Sequence, residues 1–182
     1  MKGRNLWSVA KIGLLVTAMS VGALAQSPRC EKLSGVINAY SPQTSTTGPY
    51  EVRGPWSMTV RRDSGKADFS AALNMELSDG WAITMNNGNF DPNGRGAHTH
   101  HVTMIGAQIT PLPGGGFQLY GSATVTLNGN TAPISPTPLS IMVTGGSIVE
   151  YSNIALTFGV PGSNHFGDEP LPGVVRHVKK DR

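Results

Sequence analysis

Beyond its N-terminal segment, the chain repeatedly alternates apolar and polar residues with a period of two, and Gly, Pro or Asn clusters bound each run. That period belongs to strands, whose successive side chains point to opposite faces. The clearest case is Ala67-Phe69-Ala71-Leu73-Met75-Leu77, with Asp68, Ser70, Asn74 and Glu76 on the other face. Trp56-Met58-Val60 alternates just before it, and Asp63-Ser64-Gly65 supplies turn residues, so the two runs predict a hairpin. A second hairpin is predicted from Phe117-Leu119-Gly121-Ala123-Val125-Leu127 and Leu139-Ile141-Val143, with an Asn128-Gly129 turn and a Pro-rich stretch between them. Gly121, inside a strand, predicts a bulge or tight corner. Gly145-Gly146 then turns the chain into a strand near Ser147 to Tyr151, continuing into Ile154-Leu156-Phe158. Shorter strands are expected at Leu33 to Tyr40, Trp81 to Met85, His98 to Ile109 and Val174 to Val178.

No window carries the i, i+3, i+4, i+7 spacing of an amphipathic helix with caps at both ends. The expected class is therefore all-β: a single antiparallel β-sandwich or small β-barrel of about 8–9 short strands. Two longer loops stand out, Ser41 to Tyr50 and Asn86 to Gly96, and loops of that length in a β domain often surround a site.

The N-terminus changes this picture. Lys2, Arg4 and Lys11 precede an apolar run from Ile12 to Ala25 that ends in Ala23-Leu24-Ala25, the small-x-small pattern of a signal-peptidase site. Residues 1–25 read as a signal peptide, 26–175 as the β domain and 176–182 as a basic, solvated and frayed C-terminal tail. The expected location is outside the cytoplasm, secreted or periplasmic, with no membrane span in the mature protein.

The chain holds 14 Lys and Arg against 11 Asp and Glu. Cleavage would remove three cations and no acid, leaving a mature chain of zero net charge. No broad basic stripe with interleaved aromatics remains, which argues against a nucleic-acid partner. The single cysteine, Cys30, permits no intramolecular disulfide; self-association through Cys30 or through sheet edges stays open.

Candidate chemistry concentrates in Ala97-His98-Thr99-His100-His101. On an extended strand His98 and His100 share a face, with Cα atoms about 6.6 Å apart, while His101 points the other way. Two imidazoles so placed can converge on one ion. His165 is the first candidate for a third ligand, ahead of Asp68 and Asp168. Two nitrogens plus one nitrogen or carboxylate, with an open position, describe a Zn, Cu or Fe centre, in a binding protein or in a small metalloenzyme. Three other readings stand beside it: a metal-free ligand site at the mouth of the β structure, rings that simply end a core strand beside Val102 and Met104, and an interaction protein with no site. Asp91-Pro92-Asn93-Gly94 opens like a calcium loop but lacks the later acidic ligand. Trp81 is a weaker candidate for stacking on a sugar, and Trp56 reads as core. No Gly-x-Ser-x-Gly elbow is present.

Overall fold

The computed structural model describes residues 30–41, 50–77, 97–145 and 151–181. The expected signal peptide, the Trp81 to Met85 strand, the Asn86 to Gly96 loop with its calcium-like motif, and most of the Ser147 to Tyr151 strand lie outside these residues.

The described strands are β1 (Cys30–Tyr40), β2 (Tyr50–Arg61), β3 (Lys66–Leu77), β4 (His98–Pro111), β5 (Phe117–Leu127), β6 (Asn130–Thr131), β7 (Thr137–Thr144), β8 (Asn153–Phe158) and β9 (Leu171–Asp181). Every pairing is antiparallel, in the order β4-β3-β2-β1-β9-β8-β7-β5-β6, and β4 also pairs with β5. That last pairing closes eight strands into an up-and-down barrel, with β6 as an extra strand on β5. Of the two architectures expected, the barrel is the one formed. Closure pairs each barrel strand on both sides and so removes the open edges of a sheet.

The period-two pattern explains the interior. Phe69, Leu73, Leu119, Val125, Leu139 and Ile141 are all essentially inaccessible, together with Leu33, Ile37, Met104 and Ile154. An eight-stranded barrel is just wide enough for such side chains to fill it. The β2–β3 hairpin forms as expected, with Arg61 opposite Lys66 and Gly65 at φ 64° in the turn. In the second hairpin β5 and β7 are neighbours, Phe117 opposite Val143, and Asn128 and Gly129 turn the chain with φ 47° and 87°.

Two expectations are corrected in detail. Gly121 pairs regularly with Leu139, and the irregularity lies across from it in β4, between Thr103 and Gln108. Gly121 instead makes room for a neighbour, since a Cβ there would stand 3.1 Å from Met104 Sδ. The basic segment 176–182 is not a frayed tail through Asp181: β9 carries it antiparallel to β1, from Ile37 opposite Gly173 to Cys30 opposite Asp181. Ladder hydrogen bonds come from the backbone, so exposed Arg176, Lys179 and Lys180 do not oppose them, while Val175 and Val178 pack against the core. Cys30 begins a strand paired on both sides and is a half-buried free thiol. Among the described residues no helix is long and apolar enough to cross a membrane.

The two ends of the barrel differ. At one, β2–β3 and β4–β5 are joined by the tight connections 62–65 and 112–116, and β7–β8 by the eight residues 145–152. At the other, the connections 41–49, 78–97, 128–136 and 159–170 are longer, and the last contains the only described helix, α1 (Ser163–Phe166).

Candidate metal centre

Strand β4 enters the barrel at the long-loop end, and its alternation sends His98, His100, Val102 and Met104 to the interior face. His100 is 2% exposed and His98 half-buried, whereas His101 faces out on the opposite side. The neighbouring strands hold the register, with Leu73 and Leu127 flanking His100 and Met75 beside His98.

His165 arrives from far along the chain. The turn into α1 is tied down by Thr137 on β7, whose hydroxyl donates to the Gly159 carbonyl and accepts the Gly162 N–H, both at 2.9 Å. A Cβ at Gly162 would lie 2.4 Å from that hydroxyl oxygen, so the close approach requires glycine. Phe166 then plugs the barrel, fully buried and stacked on Phe158 at 4.1 Å between ring centroids. With Phe166 inside, the preceding residue is carried to the mouth of the barrel beside β4.

The three rings meet through their Nε2 atoms. His165 Nε2 lies 3.0 Å from His98 Nε2 and 3.0 Å from His100 Nε2, and one ligand atom from each residue falls within 4.8 Å of the others. A tetrahedral ion with Zn–N bonds of about 2.0–2.1 Å sets its nitrogens about 3.3 Å apart, so small ring rotations suffice for a common ion. His100 Nδ1 is 2.8 Å from the Thr126 carbonyl. A carbonyl only accepts, so Nδ1 carries the proton and Nε2 keeps its lone pair facing the other rings. Backbone carbonyls orient metal-binding imidazoles in this way.

Asn128 steadies the strand between the two β4 histidines. Its backbone N–H donates to Thr99 O at 2.8 Å, its side-chain oxygen accepts the Thr99 N–H at 2.9 Å, and the Thr99 hydroxyl bonds Asn74 Oδ1 at 2.8 Å. Tyr50, 6% exposed, packs edge-on against His98 at 5.2 Å and lies 5.4 Å from His165. Phe166 flanks His100 and His165 at 5.1 and 5.2 Å. Burial in this apolar surround is the main cause that lowers both His100 and His165 to about 4. For His100 the Thr126 carbonyl opposes the shift and His98 adds to it; for His165 both neighbouring histidines add to it. Both rings are therefore neutral at pH 7, the form that donates a lone pair to a metal.

The cluster opens onto a cavity of about 370 Å³ lined by Ala97, Leu127, Asn128, Ala132, Pro133 and Ile134 besides the three histidines. Among the described residues this trio is the one group of three or more His, Cys, Asp or Glu side chains arranged to hold an ion, and no carboxylate joins it. The other third-ligand candidates lie elsewhere. Asp68 is bound by Arg61 and by the Gly106 N–H at 2.7 Å, which together hold its carboxyl below the usual range, and Asp168 is exposed outside the cluster. Trp56 is buried in the core at 3% exposure, as expected.

Sequence reasoning named all three histidines but not Tyr50, Asn128, Thr137 or the Ala132–Ile134 wall. Asn128-Gly129 was legible as a turn; that its side chain also braces the histidine strand depends on a contact across the barrel wall. Comparison with family models, with curated proteins and with solved structures returns no match.

Proposed function

We propose that this protein is exported after cleavage of its N-terminal leader and holds one transition metal ion through His98, His100 and His165. The observation that carries the reading is the convergence of three imidazole Nε2 atoms at the mouth of a rigid barrel. The His100 Nδ1–H bond to Thr126 supports it by turning the ligating lone pair inward. The proposed export is supported by the charged start, the apolar run and Ala23-Leu24-Ala25.

An all-imidazole donor set favours zinc or copper over a non-haem iron centre, which ordinarily adds a carboxylate to two histidines. Three protein ligands with a side open to a cavity are the pattern of catalytic rather than structural zinc sites, which close all four positions with protein. The site is thus suited to bind an outside molecule at the ion, either as a carrier or as a small metalloenzyme.

Metal analysis and calorimetry on single variants test the reading. Wild type should take up one equivalent of Zn²⁺ or Cu²⁺. Alanine at His98, His100 or His165 should abolish stoichiometric uptake, while alanine at outward-facing His101 should leave it intact. Equal losses at His101 and the other three would reveal an unspecific surface cluster, and absence of uptake by wild type would reject the site.

A further inference from the structure

Resting on the metal reading above, we infer that Asn128 and Asn74 are positioning residues of that site: they clamp Thr99 from two sides and thereby fix the two β4 rings at the spacing one ion requires.

The need for a clamp comes from where the strands end. β4 pairs with β3 as far as Met75 opposite His98, but its pairing with β5 stops at Leu127 opposite His100. Among the described residues, His98 and Thr99 therefore have a strand partner on one side only. β5 does not continue beside them, because Asn128 and Gly129 turn the chain so that Asn130 pairs back onto Leu127. Asn128 takes the place of the missing strand. Its N–H donates to the Thr99 carbonyl at 2.8 Å and its side-chain oxygen accepts the Thr99 N–H at 2.9 Å, the pair of bonds an antiparallel partner would make.

Those two groups of Thr99 belong to different peptide planes. The N–H lies in the planar unit that joins Thr99 to His98, and the carbonyl in the unit that joins it to His100. Holding both fixes the direction in which each ring leaves the backbone. From the other side, the Thr99 hydroxyl donates at 2.8 Å to Oδ1 of Asn74, the β3 residue directly opposite. The turn position itself selects the residue. Asn128 has φ 47°, a left-handed backbone that Gly, Asn and Asp adopt at least cost, and of these only Asn and Asp carry an acceptor.

The clamp acts on binding as well as on folding. With Thr99 held, the rings are ordered before the ion arrives; without it, that ordering falls on the binding step and lowers affinity. Both side-chain bonds are exposed to solvent, so each is worth about one net hydrogen bond, roughly a two- to tenfold change in affinity.

Cobalt(II) titration of the full chain separates this role from the metal reading. Wild type that fails to bind one equivalent rejects both. Where it binds, Asn128→Gly is the sharpest variant, because it keeps the left-handed turn and the backbone bond but lacks the acceptor. It should retain the far-UV circular dichroism of wild type and bind Co²⁺ about two- to tenfold more weakly. Its Thr99 amide hydrogen should also exchange faster in the metal-free state. Asn128→Asp restores the acceptor and should restore Thr99 protection in the metal-free protein, where no ion responds to the added charge. Asn74→Ala leaves the turn untouched and removes the bond from the β3 side, so it tests the clamp even if the glycine variant does not fold. Its Co²⁺ affinity should fall within the same range. Wild-type affinity in a folded variant overturns the positioning role of that residue and leaves the metal site standing. So does a weaker-binding Asn128→Gly whose Thr99 amide exchanges at the wild-type rate, because the loss then arises elsewhere.

Discussion

The two ends of the barrel bury polar groups in opposite ways. At the short-turn end, Glu31 is 2% exposed and is met by Arg62, whose Nη2 lies 3.0 Å from one carboxylate oxygen and whose Nε lies 3.3 Å from the other. Tyr151 completes that group, with its hydroxyl against both Arg62 and Glu31. The Glu31 hydrogen bond raises the Arg62 guanidinium above its ordinary value, so the cation is kept charged. At the long-loop end, three groups of the same kind face one another, and burial drives two of them to neutrality. The first cluster matches a buried anion to a cation and a hydroxyl. The second gathers nitrogen lone pairs at one point beside a cavity, an arrangement that a cation satisfies better than further imidazole does. Complementarity within a buried cluster thus distinguishes a structural cluster from a candidate site more sharply than burial alone.

The largest effect should come from breaking the first cluster. Arg62→Ala strands the Glu31 carboxylate in the interior and should cost about 3–5 kcal/mol in denaturant unfolding, the range for removing one partner of a buried pair. Arg62 is partly exposed, and water can bind it, so Glu31→Ala should cost less than Arg62→Ala. Variants that still fold should retain metal uptake, because the two ends share no residue. Loss of uptake in such a folded variant would show that the ends are coupled.

Next in size is stabilisation by the metal. Zinc at a hundred times its dissociation constant should stabilise wild type by about 2.7 kcal/mol through mass action, and EDTA should reverse the gain. The melting temperature of His100→Ala should not respond to either addition. A stabilisation by zinc that survives in that variant would place the ion elsewhere.

Acid should act on the histidine end of the metal-free protein. His100 and His165 are lowered from 6.5 to about 4 in the folded chain. Above pH 6.5 both rings are neutral folded or unfolded, and neither makes stability depend on pH. Below it the unfolded chain takes up protons that the folded chain refuses, so stability falls between about pH 6.5 and pH 4. A His100→Gln, His165→Gln double variant should lose most of this slope in urea titrations at a series of pH values. An unchanged slope would assign the acid sensitivity to other groups.

The support of His165 gives a smaller effect on stability but a measurable one on binding. Thr137→Val removes the hydroxyl that bridges Gly159 and Gly162, and should lower metal affinity about 10- to 100-fold, the usual consequence of losing a group that orients a ligand. Thr137→Ser keeps the hydroxyl and should stay close to wild type. Smallest of all is His101→Ala, on the outer face, expected within about 0.5 kcal/mol of wild type in stability.

Much of this molecule was legible in its sequence because strand alternation is local. Phe69, Leu73, Leu119 and Ile141 faced inward as the period of two required, and the same parity placed His98 and His100 on the face opposite to His101. The β2–β3 hairpin and the Asn128-Gly129 turn were equally local, set by residues that tolerate the turn geometry. Alternation says which face is buried, but not whether eight strands lie as two sheets or close on themselves. Closure depends on β4 meeting β5 through backbone hydrogen bonds that carry little sequence signal. The basic residues of β9 misled for the same reason, since composition reports on side chains and the ladder is made by the backbone. His165 was a candidate in sequence, but its distance to His98 and His100 was not legible, because 65 and 67 residues separate it from them. Only the tertiary structure, by burying Phe166 and pinning Gly162 to Thr137, decided that the three rings share one point.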